Sequence, residues 1–223
     1  MSGEAPAGPP GPPGDAAAAL RANAGLASTA DPALPRGATA AILAGGQSRR
    51  FGSDKAQALF RGRPLAVHAA LASSARFQEV LLIAKDPDKY LSLVAGLPCR
   101  LIRDVSPWQT PLAGLAAAFG EARFDLVFAF AADMPFAANS ALIEALFAAI
   151  EGHDAAVPVS AGTAQPLCAL WRRAACSAAA SALLHDGNAG PRALFDLVRT
   201  ARLDWPDPEP FRDADTPEAL AVL

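Results

Sequence analysis

The stretch AILAGGQSRRFGSDKAQALF (residues 41–60) crowds Arg49, Arg50 and Lys55 into a loop that also carries Gly45, Gly46 and Gly52. An apolar run precedes the loop. Strand, glycine-rich turn and helix together form a phosphate-binding arrangement. Glycines let backbone N–H groups come close to an anion, and basic side chains supply the opposing charge. Spacing excludes two common versions. A Walker A loop needs G-x-x-x-x-G-K-[ST], whereas here five residues separate Gly46 from Gly52 and Ser53 follows. A dinucleotide fingerprint needs G-x-G-x-x-G, whereas Gly45 and Gly46 are adjacent. On composition alone the alternative is a surface turn with incidental arginines.

Two aspartates are the natural counterparts. Asp133 closes DLVFAFAAD (125–133), the most hydrophobic strand expected in the chain. A carboxylate at a strand's end suits Mg²⁺, which takes a few hard oxygen ligands and keeps waters and phosphates. The alternative, a helix cap or turn aspartate, is weakened by Met134 and Pro135 immediately after it. Asp104 closes CRLIRD (99–104), where an Asx turn before Ser106 and Pro107 is the plainer reading.

The elements that must position these residues alternate regularly from Gly37 onward. Strands are expected at 38–44, 79–84, 99–104, 125–133 and 154–160. Helices are expected at 64–75, 86–96, 111–122 and 140–150. This alternation predicts βαβ units and an α/β, Rossmann-like, doubly wound, mostly parallel sheet with helices on both faces, with ligand beyond the carboxyl ends of the strands. Beyond residue 160 the rhythm changes. An out-of-order strand is expected within 165–173, helices at about 174–185 and 191–198, a short strand near 199–204, and a last helix from Thr216. All of this reads as one domain, 37–223. Residues 1–36 open with nine Pro or Gly in the first fourteen positions, which predicts a disordered leader.

Composition narrows the function classes. Of 223 residues 52% are hydrophobic and only 7% aromatic, so a sizeable core of small side chains is expected. A net charge of −3 and a pI near 5.6 argue against general nucleic-acid or anionic-membrane binding. Cys99, Cys168 and Cys176 lack metal-site spacing and read as buried thiols in a reducing compartment. His68, His153 and His185 show no ligand spacing. No apolar run reaches eighteen residues, and no basic region precedes the Ala-rich stretch, so neither a membrane span nor a secretory signal is expected. The expected location is cytoplasmic.

LAGGQSRRFGSDK (43–55) resembles the L-A-G-G-x-S-x-R-[MF]-G-x-D-K signature of the molybdenum cofactor guanylyltransferases, the MobA-like nucleotidyltransferases. The likeness continues through RDVSPWQTPLAGLAAAF (103–119), AADMPF (131–136), QPLCALWRR (165–173) and FRDADTPEAL (211–220), covering 38–223 in order. The resemblance implies the nucleotide-diphospho-sugar transferase type of fold. It also implies transfer of GMP from Mg²⁺·GTP to the terminal phosphate of molybdopterin, with release of pyrophosphate. Leu43, Ala44, Gly45, Gly46, Asp104 and Gly114 would hold the nucleotide, Arg50 and Lys55 would neutralise its phosphates, and Asp133 would hold the metal. The remaining partner expectations are a molybdoenzyme or its chaperone, no nucleic acid, no membrane, and a monomer or weak oligomer.

The chain departs from the family at three places. Thr110 stands where relatives have Gly, and Ala84 and Lys85 follow the second strand where relatives often carry Asn. Asp213 and Asp215 replace paired asparagines, giving the D-x-D-T-P ending more typical of cytidylyltransferase relatives, although those begin L-A-A-G. Asp215 is accordingly read as a second metal ligand. CTP in place of GTP, or a nucleotide- or cofactor-binding hand-over protein without turnover, are the competing readings. Arg192 reads either as a basic residue on the pterin side or as a solvated helix-start arginine.

Overall fold

The computed structural model describes residues 37–45, 54–187 and 189–223. The leader, Gly46 and Arg50 lie outside them. Strands β1 (Ala38–Leu43), β4 (Glu79–Ala84), β5 (Arg100–Arg103) and β6 (Leu126–Ala131) fall within the apolar runs. So does β7 (Ala155–Ser160), and β9 (Cys168–Arg172) and β10 (Thr200–Asp204) complete the long strands. Their order across the sheet is β10-β7-β9-β6-β1-β4-β5, with short β8 (Thr163–Ala164) paired to β7. β1 pairs in parallel with both β4 and β6, and β4 with β5. The chain therefore departs in both directions from β1, the switch point at which open α/β sheets place ligand.

β9 is antiparallel to both β6 and β7. The sheet is thus mostly parallel, as expected, with one reversed strand in its interior. Alternation along β1 feeds two cores. Ala38, Ala40 and Ile42 face helices α1 (Leu65–Ser74) and α3 (Ser140–Ala149). Ala41 and Leu43 face α2 (Pro111–Glu121) and α4 (Arg173–His185). Alternating side chains with helices on both sides is what a doubly covered sheet requires. Cys168 and Cys176 are fully buried and Cys99 half-buried. Burial pushes the Cys99 thiol up to about 11 and that of Cys176 to about 12, so these are inert packing thiols.

Two expected helices are shorter and tighter. Within 86–96 only Pro87–Tyr90 is helical, as a 3₁₀ segment, and Asp86 makes no side-chain cap. Past Tyr90, 2% exposed in the core, the chain continues as irregular turns, with Leu93 N and Val94 N both donating to Tyr90 O at 3.0 Å. Pro191–Asp196, within the expected 191–198, is also 3₁₀, fixed by Phe195 stacking on Trp171 with centroids 5.3 Å apart. The last helix, α5, covers Pro217–Ala221. Two hairpins carry no expectation in the sequence. β2 (Leu59–Phe60) and β3 (Arg63–Pro64) are joined through Arg61 and Gly62, and β7 and β8 through Ala161 and Gly162. All four turn residues have positive φ, the geometry of a two-residue type I′ loop.

Glu79 anchors the edge of the sheet where β1 and β4 begin. It accepts from the Thr39 hydroxyl at 2.7 Å, from Arg123 N at 2.7 Å and from Arg100 at 2.5 Å. Burial opposes its charge, but these donors outweigh burial and hold the carboxyl below its ordinary 4.5. A depressed carboxyl stabilises the fold above its unfolded pKa and loses that contribution as pH falls through the lower folded value. Glu79→Gln is expected to cost about 1–3 kcal/mol at pH 7. The deficit should close as pH drops below about 4, which thermal melts across pH will read.

Candidate active site

The carboxyl ends of the strands and their extensions meet at one edge. Ala44 N donates to Ile83 O (2.8 Å), Asp104 N to Ala84 O (2.8 Å), Ala132 N to Leu43 O (3.0 Å) and Ala131 N to Leu167 O (3.1 Å). Sheet order therefore lays out, from one side to the other, Gln165–Leu167, Asp133, Leu43–Gly45, Ile83–Ala84 and Asp104. A cavity of about 420 Å³ opens along this edge and contacts every one of these groups.

Lys55 and Asp133, which sequence alone places far apart, meet here. Asp54 caps the 3₁₀ turn Lys55–Gln57, its Oδ1 accepting from Ala56 N at 3.1 Å. That turn aims Lys55 Nζ at Asp133 Oδ2, 3.3 Å away, and at Asp215 Oδ1, which it contacts directly. Asp215 is brought in by the C-terminal segment, where Ala214 is buried against Phe60 and Leu65 and its N–H donates to Asp133 O at 3.0 Å. Burial opposes the charge on Lys55, yet Asp215 and Asp133 outweigh it and hold the ammonium above its ordinary 10.5. Partial burial, together with the charges of Asp215 and Asp133, raises the Asp213 carboxyl. One ammonium between two carboxylates, with a third alongside, is a polar centre still rich in negative charge. Its hard oxygens suit a divalent cation, although among the described residues no group of three or more such side chains is arranged so that it could hold a metal ion.

The other expected residues divide clearly. Leu43, Ala44, Gly45 and Asp104 line the cavity. So does Gly114, where a Cβ would come within 3.3 Å of Leu43 Cδ2. Asp104 forms the Asx turn, its Oδ1 accepting from Ser106 N at 2.9 Å, and it also lines the cavity. Thr110, in place of the family glycine, has φ −132° and so needs no glycine. Its hydroxyl caps α2 and reaches Ala189 O at 2.8 Å. Arg192 lines the cavity while remaining exposed. The histidines take no part: His68 packs on Phe60, centroids 5.1 Å apart, and the cavity lining includes none of the three.

Similarity to known proteins fits this geometry. Residues 40–203 match the model of the MobA-like NTP transferase domain. The chain belongs to the MobA-like NTP transferase family. It is 34% identical over 195 residues to a molybdenum cofactor guanylyltransferase of Burkholderia ambifaria, covering 83% of this chain and 94% of that protein. It is 32% identical over 189 residues to a probable molybdenum cofactor guanylyltransferase of Trichormus variabilis, covering 83% and 89%. Among solved structures it resembles molybdopterin-guanine dinucleotide biosynthesis protein A from Archaeoglobus fulgidus, with TM-score 0.69 and 22% identity over 83% of this chain and 95% of that one. It also resembles a 2-C-methyl-D-erythritol 4-phosphate cytidylyltransferase from Thermus thermophilus, with TM-score 0.62 and 18% identity over 84% and 97%. These two likenesses establish the fold. The MobA-like chain is a nucleotidyltransferase, and among its described residues no helix is long and apolar enough to cross a membrane.

One residue of this MobA-like site went unnoticed in the sequence. Tyr90, the chain's single tyrosine, donates to Asp54 Oδ2 at 2.6 Å and lies 3.3 Å from Ala44 O. Burial and the Asp54 charge push its phenol upward, so it acts as a donor. The hydroxyl ties the end of β1 to the residue before Lys55. Tyr90→Phe keeps the ring and removes this tie. The apparent KM for the nucleotide substrate is expected to rise about tenfold, in keeping with loss of one charge-assisted hydrogen bond, with the melting temperature shifted by only a few degrees. Steady-state kinetics and a thermal melt read the two effects.

Proposed function

We propose that this chain transfers GMP from Mg²⁺·GTP to the terminal phosphate of molybdopterin, releasing pyrophosphate. The observation that carries this reading is the meeting of Lys55 and Asp133 at the carboxyl edge of β1 and β6, with Nζ and Oδ2 3.3 Å apart. The relatives named as molybdenum cofactor guanylyltransferases support the choice of nucleotide and acceptor.

In this reading the backbone of Leu43, Ala44 and Gly45, with Asp104 and Gly114, holds the nucleoside. Gln165 and Arg192, across Asp133 from them, face the acceptor. An acceptor phosphate oxygen forms a bond to the α-phosphorus, and the bond from that phosphorus to the α,β-bridging oxygen breaks. Pyrophosphate leaves with the electron pair. Such a reaction asks the protein for positioning and charge neutralisation. Lys55, held protonated by its two carboxylates, donates to the phosphates and offsets the charge that builds on the leaving group. Arg50 is assigned the same task by its place in the signature. Asp133 and Asp215 are the residues that would hold Mg²⁺, which when bound neutralises phosphate oxygens.

The Asp213 and Asp215 pair favours a second reading, in which CTP is the donor. Incubating the protein with molybdopterin and each of the four nucleoside triphosphates, followed by product mass, separates the two. A guanine dinucleotide product is expected. A cytosine dinucleotide overturns the choice of GTP. GTP binding without pyrophosphate release in the presence of acceptor overturns the enzyme reading in favour of a hand-over protein.

A further inference from the structure

Lys85 stands outside the mechanism above, and it is one of the positions at which this chain departs from its family. Its Nζ lies 2.9 Å from Asp104 Oδ2 and also donates to Ser106 O. Ser106 N in turn donates to Asp104 Oδ1 at 2.9 Å, and Asp104 N is tied to Ala84 O at 2.8 Å. These contacts close a ring that clamps the loop after β5 to the end of β4. Asp104 is 7% exposed and lines the cavity, whereas Lys85 is not among the described lining residues. The ammonium therefore grips the carboxylate from behind the cavity wall.

We infer that Lys85 is a positioning residue that selects the base by fixing Asp104. The inference rests on the GTP-dependent reading and names what sets its specificity. A carboxylate offers about two lone-pair sites per oxygen. One site on Oδ1 is taken by Ser106 N–H and one on Oδ2 by Lys85, so each oxygen keeps one acceptor site. Two adjacent acceptors match two adjacent donors. Guanine presents such a pair, N1–H and the N2 amino group. Cytosine sets its N4 amino group beside the N3 acceptor, and adenine sets its N6 amino group beside the N1 acceptor. Either ring nitrogen would face a carboxylate oxygen lone pair to lone pair, so the wrong base is rejected by repulsion as well as by a lost bond. Without Lys85 the carboxylate is held by Ser106 N–H alone, Oδ2 loses its anchor, and this two-point match is lost.

The test uses the full chain as wild type, Lys85→Met and Lys85→Arg. Initial rates with molybdopterin are measured for GTP, ITP, CTP and ATP, and equilibrium binding of each Mg²⁺·nucleotide is measured by calorimetry without acceptor. ITP lacks the N2 amino group, so the wild type should favour GTP over ITP by about tenfold. In Lys85→Met the GTP:CTP ratio of kcat/KM should fall at least about tenfold, through a raised KM for GTP with kcat changed less. The GTP:ITP ratio should shrink toward one, and Lys85→Arg should restore much of both ratios. A loss of stability alone lowers all four nucleotides together and moves neither ratio. Unchanged ratios in a folded Lys85→Met protein overturn the inference. Should that variant fail to fold, Asp104→Asn supplies the same test. It replaces one acceptor oxygen with a donor, and an unchanged GTP:CTP binding ratio overturns the inference equally. Wild-type protein that binds GTP with this preference but releases no pyrophosphate sinks the transferase reading and leaves the role of Lys85 standing. Wild-type protein that binds CTP or ATP as tightly as GTP sinks the role of Lys85, whatever the turnover.

Discussion

Asp133→Asn should lower guanylyl transfer by about two to three orders of magnitude, the scale seen when one preorganised electrostatic group is removed from a site. The substitution keeps the shape of the side chain, and the backbone bond from Ala214 N to Asp133 O does not depend on it. Lys55 keeps Asp215 as a partner. The loss therefore falls on kcat, and the melting temperature should hold or rise because one of several crowded negative charges is gone. Raising Mg²⁺ should recover part of the rate if the carboxylate is a metal ligand. Pyrophosphate release, followed against Mg²⁺ concentration, is the measurement. A rate within about threefold of wild type would remove Asp133 from the chemistry. Asp215→Asn is the companion variant. Its side chain is 50% exposed against 21% for Asp133, so the effect should be smaller but in the same direction. An unchanged Mg²⁺ dependence in that variant would show that Asp215 is not a second metal ligand.

Lys55→Met is the other large effect. It removes the ammonium that separates Asp133 from Asp215, so the phosphate neutralisation proposed for it is lost and two carboxylates are left to repel one another. Turnover should fall by about two to three orders of magnitude. Lys55→Arg should rescue little, because a flat, five-donor guanidinium does not fit where one point charge sits between two acceptors. The pH dependence follows from the sign of the shift. A raised lysine contributes stability that is fully present below its unfolded value near 10.5 and is lost only as pH climbs through the higher folded value. The stability difference between wild type and Lys55→Met should therefore stay level from pH 6 to about 9 in denaturant titrations. Any alkaline decline in wild-type rate inside that window belongs to another group.

Much of this was legible because the signals were local. β1, β4, β6 and β7 are short apolar runs bounded by polar residues, and α2 and α3 announce themselves through Thr110 with Pro111 and through Asn139 with Ser140. The polarity of β9 was not legible, since an apolar run reads alike in either direction and only its neighbours settle it. The two hairpins were obscured by turn chemistry. Arg61 and Ala161 occupy left-handed positions usually given to Asn, Asp or Gly, leaving Gly62 and Gly162 as the lone hints. Tyr90 was passed over and Lys85 noted without a role for a different reason. Each reaches partners distant in sequence: Tyr90 reaches Asp54, 36 residues away, and Lys85 reaches Asp104 and, 21 residues away, Ser106. The meeting of Lys55 with Asp133, at 78 residues, was reached because Lys55 stood in the loop after one expected strand and Asp133 at the end of another.

The reversed strand has an evolutionary corollary. Because β9 runs against β6 and β7, it brings its leading residues, Gln165–Leu167, to the edge where its neighbours bring their trailing ones. One flank of the catalytic chamber is thereby encoded by a stretch that shares no residues with the signature loop or with the turns after β4 and β5. Under the proposed reading, selection can retune that flank for a new phosphate-bearing recipient while the residues assigned to the donor are inherited intact.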